Sequence, residues 1–288
     1  MNTGTEVPGE AEAENAWTPC ACLVSTAEGY ERWASSYDQV PNPLLAREER
    51  YLLPLLKDVR VRSAVDLGCG TGRWLEKLAA MGCDLTVGVD CSGAMLRVAA
   101  GKKNVRGRLA RAACENLPLF DAGFDLGICS FALGHICNLT PMVREMARVT
   151  RIGADVFVSD LHPEAYDRGW RVGFRDEQTV VEIQVRSRTA AEIVEEFCSN
   201  GFQCLTLKTL WLGEPERLLF ARAGKTDLFA GACQVPAVLV CRFRRVEAGD
   251  QRREREGAAG NSGRRAGRPP DSRRDAGATV GYAVEVRR

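Results

Sequence analysis

Histidine is nearly absent from this chain, with two residues, His135 and His162, in 288. Cys20 and Cys22 form a C-x-C pair, but neither a second pair nor a nearby histidine completes four ligands, so no metal site is expected. Charge of one sign is missing as well. With 39 Lys and Arg against 38 Asp and Glu, the formal net charge is +1, which gives no reason to expect nucleic acid or an anionic membrane as an obligate partner. Residues Met1 to Asn15 are acidic and lack both a basic start and an apolar run, so no secretory leader is read and a cytoplasmic protein is expected. Long apolar runs are absent too. The longest uncharged stretch, Leu126 to Val143, approaches a membrane span in length, but Gly127, Ser130, Gly134, His135, Asn138, Thr140 and Pro141 break it. It reads as a buried strand, a site loop and a helix start.

The chain is rich enough in apolar residues, at 45%, for a sizeable core in one large or two small domains. Its twelve cysteines are scattered. Cys69, Cys91 and Cys129 fall in or beside expected core strands and loops, where a free thiol behaves as a small apolar side chain.

Its most informative stretch is Ala64-Val-Asp-Leu-Gly-Cys-Gly-Thr-Gly-Arg-Trp74. An apolar run to Asp66 reads as a buried parallel strand, Gly68, Gly70 and Gly72 force a tight turn, and helical spacing resumes at Arg73. Glycines without Cβ let a ligand approach the main chain, and the free N–H groups of a helix start favour an electron-rich group. A dinucleotide fingerprint would need glycine where Arg73 stands.

The stretch resembles motif I of the class I S-adenosylmethionine (SAM) methyltransferases, whose glycine loop follows an acid two positions upstream, here Asp66. A second acid, Asp90, closes the next apolar run at the offset where such folds offer a carboxylate to ribose hydroxyls. The resemblance implies a SAM cofactor held by Asp66, Gly68, Cys69, Gly70 and Gly72, with Asp90, Cys91 and Met95 beyond them. Tyr30 to Asp38 (Y-x-x-W-A-x-x-Y-D) is similar to the N-terminal signature of type 11 enzymes that methylate ubiquinone and menaquinone precursors and malonyl carrier protein. In those families this helix lids the site, so Tyr37 is expected to close over cofactor or substrate. From the residues alone, the same aromatics are a core-facing stripe.

Residues 1–25 read as a mobile tail and 26–60 as a helical lid, with helices over Thr26–Asp38 and Pro43–Leu56. A methyltransferase core is expected over 61–244. Its strands are read at Ser63–Asp66, Asp84–Asp90, Val105–Ala112, Phe124–Ser130, Gly153–Asp160, Phe202–Leu212 and Ala237–Phe243. Helices between them run over Gly72–Met81, Ser92–Ala100, Thr140–Arg151 and Thr189–Asn200. Alternating strands and helices imply an α/β, Rossmann-like parallel sheet with right-handed crossovers, and the resemblance gives seven strands in the order 3-2-1-4-5-7-6. From 245 to 288 the composition turns to Arg, Gly, Ala, Glu and Pro, which reads as a disordered basic tail.

In the resembled families the turn after strand 3 reads D-A-E-x-L-P and its aspartate bonds the adenine amino group. Here the residue is Ala113, leaving the main chain of Cys114 and Glu115 to serve. One lost hydrogen bond is worth about 0.5–1.5 kcal/mol, roughly tenfold in affinity at most. Ser130 and Phe131, after strand 4, are expected to face the methionine end of the cofactor. An insert over 164–188 contains Tyr166, Trp170, Arg171, Phe174 and Arg175. Trp170, Arg171 and Arg175 could hold a flat or acidic substrate, or the aromatics could simply pack on the sheet.

The resemblance implies methyl transfer to a small molecule or a carrier-bound acyl group. A DNA amino-methyltransferase would carry N/D-P-P-Y/F where this chain has Ser130-Phe-Ala-Leu, and no paired-glutamate loop of a protein arginine methyltransferase is found. His135 and His162 fall at the carboxyl ends of expected strands, as a base, a substrate-orienting group or loop packing. A SAM-binding regulatory or partner subunit without catalysis is the alternative, on the strength of Ala113.

Overall fold

The computed structural model describes residues 22–57, 59, 61–105, 108–176, 179–247 and 283–286. Cys20 and most of the two expected tails lie outside them. Strand β1 (Cys22–Val24) leads into helix α1 (Thr26–Trp33), whose N-cap Ser25 accepts a hydrogen bond from the Glu28 N–H. The expected tail of residues 1–25 therefore ends in structure. Helix α1 stops five residues short of Asp38. A 3-10 turn at Tyr37–Gln39 follows, and the Asp38 carboxylate there accepts from Thr71 Oγ1 at 2.7 Å and pairs with Lys102 at 2.9 Å. These tertiary bonds outweigh the local helical spacing. Helix α2 (Pro43–Lys57) completes the N-terminal layer.

Then come β2 (Ser63–Leu67), α3 (Arg73–Ala80), β3 (Leu85–Asp90), α4 (Gly93–Ala100) and β4 (Leu109–Arg111). The chain continues through β5 (Phe124–Ser130), α5 (Leu139–Val149), β6 (Thr150–Leu161), α6 (Pro163–Asp167), β7 (Trp170–Asp176) and β8 (Thr179–Ile183). The last elements are α7 (Ala190–Ser199), β9 (Phe202–Trp211), α8 (Arg217–Arg222), α9 (Phe229–Ala232), β10 (Pro236–Arg245) and β11 (Ala283–Val286). Helix α7 begins with a capping box, Thr189 and Glu192 exchanging side-chain and backbone bonds, and closes at Gly201, whose φ of 94° suits glycine.

Seven strands form one sheet in the order β4-β3-β2-β5-β6-β10-β9. All run parallel except β10, which is antiparallel to both β6 and β9. This is the order 3-2-1-4-5-7-6 with its seventh strand reversed. The strand expected over Val105–Ala112 is only three residues long, because Val105 packs instead with Leu75, Leu96 and Ala99 under the glycine loop. Alternation along the strands divides the core. Ala64, Leu126, Ile128, Phe157 and Val238 face α2 and α3, whereas Val65, Leu67, Cys129, Val156, Leu239 and Phe243 face α5 and α7.

A smaller sheet, β1-β8-β7-β11, stands on the insert. Its inner face stacks Phe174 on Trp33 of α1, 5.0 Å between ring centroids, beside Val24, Val181 and Ile183. Helix α1 lies so close to β8 that a Cβ on Gly29 would come within 2.5 Å of Ile183 Cγ1. Residues 245–247 still belong to the folded part, with Arg245 ending β10. Ala283–Val286, within the expected disordered tail, pair with β7 instead. Among the described residues no helix is long and apolar enough to cross a membrane.

Candidate active site

The carboxyl ends of β2, β3, β4 and β5 open on a cavity of about 310 Å³. Parallel strands deliver backbone and side chains to that edge, and the sheet divides there between β2 and β5. Gly68, Gly70 and Gly72 all have positive φ, at 71°, 53° and 82°. A Cβ on Gly68 would meet that of Ala132 at 2.6 Å, whereas one on Gly70 would project into open space. The bare loop therefore leaves room at Gly70 for a ligand to lie against the main chain.

Asp90 sits at the cavity floor. Its Oδ2 accepts from the Gly70 N–H at 2.8 Å and its Oδ1 from the Ser92 N–H at 2.8 Å, so the carboxylate is fixed in orientation. Burial pushes its pKa up, and those backbone bonds pull it back. Around it the cavity is lined by Tyr37, Cys91, Met95, Ala113, Cys114, Glu115, Ser130 and Phe131. Phe131 has a positive φ of 52°, a conformation rare for an aromatic residue and characteristic of functional turns.

Asp66 and Cys69 line a smaller pocket that adjoins the first and shares Tyr37, Gly68, Gly70 and Ser130 with it. Gly72 lines neither; it caps α3, its missing Cβ facing Val105 and Ala99. Asp66 is 2% exposed, and its Oδ1 has no hydrogen-bond partner among the described residues. Burial raises its pKa to about 8, against the pull of the nearby Arg73. An orphaned buried oxygen beside a glycine loop suits a donor group on a ligand.

Beneath this pocket lies a buried polar cluster that sequence reasoning missed. Glu48, fully buried on α2, accepts from Arg73 Nη2 at 2.5 Å, from Ser130 Oγ at 2.7 Å and from Ser159 Oγ. Arg73 also donates to Ser130 at 2.8 Å. Arg73 enters the sequence reading as a helix start that breaks a dinucleotide fingerprint, and Glu48 is not singled out there. No local signal distinguishes either.

His135 lies on the 3-10 turn Leu133–His135 after β5 and faces the main cavity. Its Nε2 is 2.8 Å from Tyr30 Oη and its Nδ1 3.3 Å from Thr26 Oγ1. Burial lowers its pKa to about 4, so the ring is neutral at pH 7. Asp160, another residue the sequence reading passed over, accepts from the Gly134 N–H at 2.8 Å and so holds this turn. Beyond Tyr30, Tyr37, Phe131 and His135, which line both, is an inner chamber bordered by Asp160, Tyr166, Arg186 and Arg188.

The other expected site residues are dispersed. His162 caps α6, accepting from the Glu164 N–H at 3.2 Å, and its Nε2 is 3.4 Å from Thr209. Trp170 is 3% exposed within the core. Arg171 donates to the carbonyls of Tyr166 and Trp170 and covers the Tyr166 ring. Arg175 borders a separate small pocket with Trp33, Tyr37 and Phe174.

Residues 64–153, which carry the glycine loop and the floor of the cavity, match the family described as a methyltransferase domain. A demethylmenaquinone methyltransferase of Roseiflexus sp. is 39% identical over 97 residues, 32% of this chain and 40% of that one. A malonyl-[acyl-carrier protein] O-methyltransferase of Hamiltonella defensa is 31% identical over 136 residues, 47% of this chain and 51% of that one. The chain thus spans about half the length of these relatives, or less. Among solved structures, a putative SAM-dependent methyltransferase from Listeria monocytogenes superposes with a TM-score of 0.54 at 18% identity, over 70% of this chain and all of that one. Residues 64–153 thus match the methyltransferase-domain family, and the seven-stranded sheet that contains them shares the fold of that solved structure.

Proposed function

We propose that this protein is a SAM-dependent methyltransferase acting on a small molecule or a carrier-bound acyl group. The observation that carries the reading is the pairing of the Gly70 cradle with two carboxylates of unlike state. Asp90 is locked by two backbone N–H bonds, while Asp66 keeps an unpartnered oxygen. Asp90 would offer its remaining lone pairs to the ribose hydroxyls of bound SAM, and Asp66 would accept from the amino group at its methionine end. Cys91, Met95, Cys114 and Glu115, which line the cavity, would enclose the adenine, with main-chain groups in place of the aspartate missing at Ala113.

Bound SAM would supply a methyl group already activated on a sulfonium. The chain's own task is to orient the acceptor, exclude water and, for a hydroxyl or acidic carbon, receive a proton. Helix α1 and the 3-10 turn put Tyr30 and Tyr37 over the cavity, and Phe131 and His135 border the chamber from which an acceptor would approach. Trp170, Arg171 and Arg175 are then better seen as a frame for that chamber than as groups touching substrate. His162 is a helix cap rather than a base on this view.

Ala113 favours a second reading, a SAM-binding subunit without turnover. Titration calorimetry with SAM and S-adenosylhomocysteine, followed by transfer of labelled methyl to a panel of acceptors, separates the two. Binding with turnover supports the enzyme, binding with none across the panel supports the second reading, and absence of binding removes both.

A further inference from the structure

The chain's two histidines sit in unlike surroundings, and only His135 is joined to an aromatic hydroxyl. Thr26 Oγ1 donates to the Gln184 carbonyl at 3.3 Å, which leaves a lone pair of that oxygen facing His135 Nδ1 at 3.3 Å. Nδ1 therefore carries the ring proton and Nε2 is bare, an assignment that follows from the network. The partner of the bare nitrogen is the Tyr30 hydroxyl, which must donate to it. The two rings meet edge to face, 5.1 Å between centroids. With its hydrogen committed to His135, the Tyr30 oxygen has lone pairs left over, and Tyr30 lines both the cofactor cavity and the inner chamber.

We infer that Tyr30 is the group that meets the acceptor, and that the Tyr30–His135 pair removes its proton during transfer while Thr26 and the Gln184 carbonyl hold the imidazole proton on Nδ1. This rests on the methyltransferase reading above. For a hydroxyl acceptor, the O–H bond breaks and its electron pair forms the new O–CH3 bond. The electron pair of the broken methyl–sulfur bond stays on sulfur. The acceptor's proton passes to Tyr30 Oη as the Tyr30 proton passes to His135 Nε2, leaving an imidazolium that Thr26 and the Gln184 carbonyl stabilise. The imidazolium returns its proton to water when product leaves. Tyr30 is a catalytic residue in this account, and Thr26 a positioning residue.

Burial and the surrounding groups agree with a relay rather than a phenolate. Burial, helped by the negative charge that Tyr37, Asp90, Asp160 and Cys91 carry or can take on nearby, holds the Tyr30 phenol protonated. His135, being neutral, is always ready to accept. So weak a base takes the proton only as the forming O–CH3 bond makes the acceptor oxygen strongly acidic, not beforehand.

Two histidines make this directly readable by nitrogen-15 NMR of His-labelled protein. The expected result at pH 7 is a neutral His135 protonated on Nδ1. Tyr30→Phe should shift Nε2, Thr26→Val should shift Nδ1 while the Gln184 carbonyl keeps the proton there, and the His162 signals should stay fixed in both. A wild-type His135 protonated on Nε2 would overturn the relay. In the labelled-methyl assay, Tyr30→Phe should lower kcat on phenols and alcohols roughly 100-fold or more with little change in KM, and spare carboxylate acceptors. An equal loss on hydroxyl and carboxylate acceptors would also overturn it. Failure of the wild type to bind SAM removes the methyltransferase reading instead, which the tautomer measurement does not depend on.

Discussion

Gly70 and Asp90 are twenty residues apart and joined by one bond, the Gly70 N–H donating to Asp90 Oδ2 at 2.8 Å. The carboxylate that closes β3 thereby sets the shape of the loop that leaves β2. A ligand that touches either residue is oriented by both.

Asp90→Asn should therefore weaken SAM binding more than the loss of one contact suggests. An amide must turn its NH2 toward either the Gly70 or the Ser92 N–H, and it loses the charge. A charge-assisted hydrogen bond is worth about 1.5–3 kcal/mol, so calorimetry should find roughly 10- to 100-fold weaker binding. Unchanged affinity would place the ribose elsewhere.

Asp66 gives SAM binding a pH dependence. With its pKa raised to about 8 by burial, the free protein holds this carboxyl mostly protonated at neutral pH. A cationic amino group beside it favours the carboxylate, so binding releases a proton and tightens as pH rises from about 6 through 8. Calorimetry in two buffers of different ionisation enthalpy should detect that proton, and Asp66→Asn should abolish both the release and the slope.

Glu48→Gln tests the buried cluster. The substitution takes from Arg73, whose side chain is 21% exposed, its nearer counter-ion and leaves Glu49 at 3.9 Å, so the loss should fall below the roughly 3–5 kcal/mol of a broken, fully buried pair. Urea unfolding should show the midpoint falling by a corresponding amount. Because the amide offers one oxygen where the carboxylate offered two, Ser130 and Arg73 compete for it, and SAM affinity should fall in whatever protein remains folded.

Gly29→Ala should strain the contact between α1 and β8. The new Cβ would press on Ile183 at 2.5 Å, and overpacking of this kind costs about 1–3 kcal/mol. Hydrogen exchange should rise at α1 and β8 before it rises at β2 or β5.

The sequence carries its fold because the strand, glycine turn and helix at Asp66–Trp74 are local, and because apolar runs alternate with helical spacing all the way to β10. Asp90, Gly68, Gly70 and Ser130 are legible for the same reason: motif and position name them together. Glu48 and Arg73, 25 residues apart, meet only because α2 crosses the strand ends, and no periodicity records that crossing. Tyr30 and His135, 105 residues apart, each have an ordinary explanation in the sequence, as core aromatic and loop histidine, and their hydrogen bond exists only in three dimensions. His162 shows the converse. Its place at the end of β6 is readable, but the turn into α6 points its ring at a backbone N–H and away from the cavity.

The bare backbone of Gly29 against Ile183 ties the cover of the site to its neighbouring hairpin. Nothing the size of a methyl group separates them, so α1 and β8 must swing as one plate, and any guest too bulky for the inner chamber has to displace both. Enlarging the range of accepted molecules is thus a problem in loosening that seam, more than in repainting the walls it encloses.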